Sequence, residues 1–167
     1  MAVCLHQLGN IQNLQGNYNE AIKLYHQSLE IFEKLGDKQG IAQSLHQLGM
    51  IHHEQGNYDK SIKLYVQSLK INEELGDKQG IAQSQHNLAA INHAQGNYNK
   101  SIKLYHQSLK INEELGNKQG IAQSLHQLGM IHHEQGNYDE AKKLYHQSLK
   151  INEEMGKNRV SHNPFTS

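Results

Sequence analysis

The stretch "HQLGMIHHEQGNYD" occurs twice, beginning at His46 and again, letter for letter, at His126. It is one sign of a 40-residue period that governs most of the chain: Gly16, Gly56, Gly96 and Gly136 form one glycine series, and Gly36, Gly76, Gly116 and Gly156 a second. Every tyrosine obeys the same period, in the series Tyr18, Tyr58, Tyr98, Tyr138 and the series Tyr25, Tyr65, Tyr105, Tyr145. Repetition on this scale marks a supersecondary unit that cannot bury its apolar face alone and gains stability from stacked neighbours. The period therefore restricts the fold to a stacked array before any single element is assigned.

Within one unit, Ile41, Leu45, Leu48 and Ile51 fall at a 4-3-3 spacing, which lines one face of a helix, here termed helix A. Tyr58, Ile62, Tyr65 and Leu69 follow at a 4-3-4 spacing and define helix B. Gly56 and Gly76 stand where a helix end wants a residue of positive φ, and Asn57 and Asp77 are natural starters of the next helix. Strand alternation and β-branched runs are missing, and the one proline, Pro164, lies beyond the repeats. The expected fold class is all-α.

Composition narrows the function. Sixteen basic and sixteen acidic residues balance, so no net field draws the 167-residue chain to nucleic acid or to an anionic membrane. Cys4 is the one cysteine, which excludes an internal disulfide framework and fits a reducing compartment. The opening "MAVCLHQLGN" has neither part of a secretory signal, and no apolar run reaches membrane-spanning length. A cytoplasmic location is expected.

Leu45, Leu48, Gly49, Gly56, Tyr58, Ser61 and Tyr65 give the pattern L-x-x-L-G…G-x-Y-x-x-[AS]-x-x-x-Y, with Ala21 and Ala141 in the place of Ser61. This pattern resembles a tetratricopeptide repeat, in the long 40-residue form of kinesin light chain and of bacterial and archaeal arrays. The resemblance covers 1–156 as one solenoid domain of four units, about 1–36, 37–76, 77–116 and 117–156, followed by a polar tail at 157–167. The third unit departs from it with Gln85 for leucine and Ala89 for glycine. It implies a right-handed α-α superhelix whose A helices line a concave groove. Gly49 and Ser61 would admit close helix approach, and the tyrosines would fill the space between layers.

Helix geometry then places the histidines. His46 and His53 lie about two turns apart on one face, and His86 with His93 and His126 with His133 repeat the pair, while His6 stands alone. Ligands of one zinc on a single helix need a separation of about three or four residues, so these pairs are too widely spaced, and "HHEQG" lacks the second histidine of H-E-x-x-H. No metal site and no cofactor is expected beyond adventitious nickel or zinc. No catalytic residue is expected either, since every candidate base recurs in register as a scaffold position does. Cys4 takes the slot of Ser44, Ser84 and Ser124 and reads as a small packing residue. His52 and His132 read as packing between helices, and His26, His106 and His146 as ordinary surface.

In kinesin light chain repeats an asparagine on helix A holds the backbone of an extended peptide, and the matching positions are Gln7, Gln47, Asn87 and Gln127. Amides suit that task because each both donates and accepts. The apolar A stretches 1–15, 41–55, 81–95 and 121–135 contain neither lysine nor arginine, which argues against the family's carboxylate clamp and against a phosphate site. In the third unit Ala90 and Ala94 replace Met50 and Glu54, or Met130 and Glu134, which would open a mid-groove anchor pocket; drift among duplicated repeats explains the change equally well. A histidine ladder titrating near ~6.5 would also make binding depend on pH.

The reading is a non-catalytic scaffold that binds a protein or peptide segment in the groove, without nucleic acid or membrane. A sensory module for a small ligand, or a fragment of a larger signalling protein, is the competing reading. Uncapped ends would allow copies to stack end to end.

Overall fold

The structure, a computed structural model, describes residues 1–161, with side chains described as far as Gly156. Among the described residues there are eight helices and no strand: α1 (Ala2–Leu14), α2 (Tyr18–Leu35), α3 (Lys38–Glu54), α4 (Tyr58–Leu75), α5 (Lys78–Ala94), α6 (Tyr98–Glu114), α7 (Lys118–Glu134) and α8 (Tyr138–Ser161). Odd-numbered helices are the A helices and even-numbered ones the B helices. Contacts gather the chain into two compact units, Met1–Ile91 and the residues from Asn92 onward, the division falling inside α5. In the first unit α1 packs on α2, α2 on α3 and α3 on α4; in the second, α6 packs on α7 and α7 on α8.

Local chemistry explains the boundaries. Gly56 and Gly76 end their turns at φ +74° and +67°, values that a side chain disfavours. The Asp77 carboxylate then accepts the Gly80 N–H at 3.0 Å and so caps α5 at Lys78, and Asp37 caps α3 through Gly40 in the same way. The A helices thus begin three residues ahead of their apolar stripe, and α3, α5 and α7 each open on a lysine. At the far end α8 runs through Gly156 to Ser161, so residues 157–161 of the expected tail continue a helix. The remainder of that tail, with Pro164, lies outside the described residues.

Helix α3 buries most of the expected stripe, with Leu48 and Ile51 fully enclosed and Ile41 half-buried. The B helices do not. On α4 the buried residues are Ser61, Tyr65, Ser68 and Asn72, while Ile62 and Leu69 are only half-buried. Small hydroxyl residues occupy the centre of this face because two helix backbones meet there: Ser61 donates to the Gly49 carbonyl at 2.7 Å and Ser68 to the Ala42 carbonyl at 2.9 Å. The Tyr65 ring lies flat on α3, where a methyl group added at Gly49 would come within 2.8 Å of it. The apolar flank of a B helix faces the next repeat instead. Tyr18, Ile22 and Leu29 of α2 pack on a cluster of Ala21, Tyr25, Leu48 and Ile51.

Candidate functional site: the histidine and amide face of the A helices

In the first histidine register His6, His46 and His126 each rest on a tyrosine of their own repeat. The centroid separations are 5.2 Å for His6 and Tyr25, 5.4 Å for His46 and Tyr65, and 5.4 Å for His126 and Tyr145. Where a further A helix follows, it covers the other side of the ring: His6 Nδ1 is 3.3 Å from Ser44 Oγ, and the Asn87 amide nitrogen is 3.4 Å from His46 Nε2. An amide nitrogen only donates, so Nε2 of His46 accepts and its ring proton is assigned to Nδ1. Burial pushes His46 down to about 4 and lowers His6 and His86 as well. The expected ladder titrating near 6.5 therefore does not hold at these three positions, where desolvation disfavours the charged ring. His6 and His46 are spacers between repeats. His126 is exposed, no A helix following α7 among the described residues.

The second register packs on the other tyrosine series. His53, His93 and His133 lie 5.7, 5.8 and 5.5 Å from Tyr58, Tyr98 and Tyr138. His93 Nε2 also meets a Glu134 carboxylate oxygen at 2.8 Å, and this contact holds the Glu134 carboxyl below the usual carboxylate range. Glu54 plays a related part, its hydrogen bond raising the Tyr18 phenol above the ordinary value. Both carboxylates thus tie the end of one A helix to the preceding repeat, a role that Ala94 gives up.

The amides form the open part of this face. Gln7 is exposed and Gln47, Asn87 and Gln127 are half-buried. In the first unit a cleft of about 340 Å³ surrounds Gln47 and His46, and its walls include Gln39 and Gln43 of α3, Gln79 and Gln83 of α5, and His6 of α1. These four glutamines match no position of the family pattern. Their signal was the spacing Gln39, Gln43, Gln47, one turn apart and repeated as Gln79, Gln83, Asn87, which places three amides in a row on one helix face. Met50, Ala90 and Met130 are half-buried and Ala94 exposed, and none of them lines this cleft. Asp77 stands at one end, its carboxylate 3.4 Å from the Gln39 amide nitrogen.

The lysines that open the A helices are committed elsewhere. Lys38 reaches Glu74 at 2.8 Å and Lys118 reaches Glu154 at 3.0 Å, so neither presents an unbalanced cation to a carboxylate ligand. Cys4 is exposed, in contrast to the enclosed Ser44, whose hydroxyl lies 3.2 Å from that of Ser28 on the preceding B helix. His52 is buried as its packing role requires, and burial, with Lys60 and His26 nearby, lowers its pKa. His26, His106 and His146 are exposed. Among the described residues no helix is long and apolar enough to cross a membrane.

A family model described as the tetratricopeptide repeat matches residues 1–74 and 80–154. The chain belongs to the tetratricopeptide repeat family. Its repeats share their fold with BtubC (BKLC) from P. vanneervenii, at 17% identity and a TM-score of 0.83 over 93% of this chain and 64% of that one. They share it also with aspartyl phosphate phosphatase F from Bacillus subtilis, at 14% identity and a TM-score of 0.88 over 93% of this chain and 41% of that one. The chain spans less than two thirds of either protein, and at these identities the likeness concerns the fold alone. No curated protein matches it in sequence. Tetratricopeptide repeats generally mediate contacts between proteins and typically serve as non-catalytic scaffolds.

Proposed function

We propose that this chain is a non-catalytic scaffold that holds an extended peptide or protein segment along the amide face of its A helices. The observation that carries the reading is the cleft around His46 and Gln47, walled by glutamines from two successive A helices. An extended backbone offers alternating donors and acceptors, and a row of amides at helical pitch meets both without requiring charge on the ligand. Asn87, the residue that matches the family's peptide-holding asparagine, bonds to His46 instead, so Gln43, Gln47 and Gln83 take the larger share. A small polar ligand is the second reading, favoured by the volume of the cleft, although the predominantly apolar walls usual for such sites are not found there.

Capture from a lysate with the parent chain and with Gln43→Ala/Gln47→Ala/Gln83→Ala, followed by mass spectrometry, tests the reading. All three positions lie at the helix surface, so circular dichroism should be unchanged. A protein held by the parent and lost by the variant supports groove binding. Identical lists from both would overturn it.

A further inference from the structure

Helices α1 and α8 carry the two halves of an interface that the chain already makes inside itself. Between α2 and α3, Leu48 and Ile51 are fully enclosed by Ala21, Tyr25 and the flanking Ile22 and Leu29. Helix α1 carries the same letters at Leu8 and Ile11, yet these are 48% and 50% exposed. It goes further than α3, since Val3 and Leu14 stand where α3 has Gln43 and Glu54, and they are 60% and 87% exposed. None of α3, α5 and α7 contributes a residue to the exposed large apolar side chains. At the other end α8 repeats the α2 face with Tyr138, Ala141, Tyr145 and Ser148, and there Tyr138 and Leu149 are 58% and 53% exposed.

We propose that α8 of one copy docks on α1 of another, so that chains associate head to tail through a copy of the α2–α3 interface. One residue on the donor face departs from the template: Lys142 stands where α2 has Ile22, which packs on the cluster. Its ammonium must stay in water at the rim while its stem lies along the apolar patch, and this keeps the association weak. The contact is heterologous, so it continues from copy to copy instead of closing at two.

Sedimentation velocity of the full chain over a concentration series, under reductant because exposed Cys4 would otherwise cross-link α1 faces, decides the matter. The parent should show a mass that climbs past the dimer with concentration, and Lys142→Ile should shift the onset about tenfold lower, equivalent to ~1.4 kcal/mol. Ile11→Glu and Leu149→Glu block opposite ends. Each should stay monomeric alone, and an equimolar mixture should form a dimer and nothing larger, a rescue that neither misfolding nor general stickiness produces. A parent and a Lys142→Ile variant both monomeric throughout would overturn the proposal. So would assembly that stops at two copies and ignores Lys142, the behaviour of α1 pairing with α1, or a mixture of blocked variants that fails to associate.

Discussion

His46 and His126 stand in identical stretches of sequence, each on a tyrosine of its own repeat at a centroid separation of 5.4 Å. Their surroundings differ. His46 is covered by Asn87 of the following A helix, and desolvation takes it to about 4; among the described residues no A helix follows that of His126, which is exposed. In a repeat array the letters of one unit set its own helix pair, but burial, and with it chemistry, is set by the neighbour.

The sharpest way to break this comparison is to remove the ring on which each histidine rests. Tyr65 is enclosed and Tyr145 is half-buried, although both press on the glycine of their A helix. Tyr65→Ala should cost about 3 to 5 kcal/mol, and Tyr145→Ala about half as much because water can fill the space left behind. Urea titrations followed by circular dichroism check this. Equal losses would mean that packing within a repeat outweighs packing between repeats.

Acid provides the next test. The folded chain holds the His46 proton near 4, whereas the unfolded chain holds it near the ordinary 6.5. Between those values the unfolded state binds more protons, so the stability from the neutral ring is complete above about 6.5, falls as pH drops through the window and is exhausted near 4. The limit is roughly 3 kcal/mol for this one group, and His6 and His86 act in the same direction. His46→Gln should flatten part of the slope in a stability measurement against pH. A ring signal of His46 that titrates near 6.5 in the folded chain would show that Asn87 does not cover it.

What could be read in the sequence follows the same division. The period, the helix pairs and the positive-φ glycines were all legible, because each is a property of one unit: Gly76 ends α4 whatever lies beside it. The close approach at Gly49 and Ser61 was legible, but Ser68 was passed over for the apolar Ile62 and Leu69, since its hydroxyl finds a partner only when α3 is in place. The amide row was visible as spacing but carried no motif, and Gln39 acquires meaning only from the cleft it shares with Gln83. Cys4 reads as a packed residue by alignment with Ser44 and is exposed by position.

The smallest effect, and the most specific, sets the third A helix against the second. Leu45 and Leu125 are 7% and 8% exposed, and the residue at the same register of α5 is Gln85, whose Oε1 is buried without a hydrogen-bond partner. A carbonyl oxygen stripped of water and left unbonded destabilises the fold, and a leucine of similar size removes that loss while adding apolar burial. Gln85→Leu should therefore raise stability by about 1 to 2 kcal/mol, seen as a higher urea midpoint at unchanged slope, whereas Gln85→Glu should lower it by placing a charge in the same space. A Gln85→Leu chain that is less stable than the parent would mean that the amide is satisfied after all, and that the third repeat keeps its polar residue for a contact that α3 and α7 do not make.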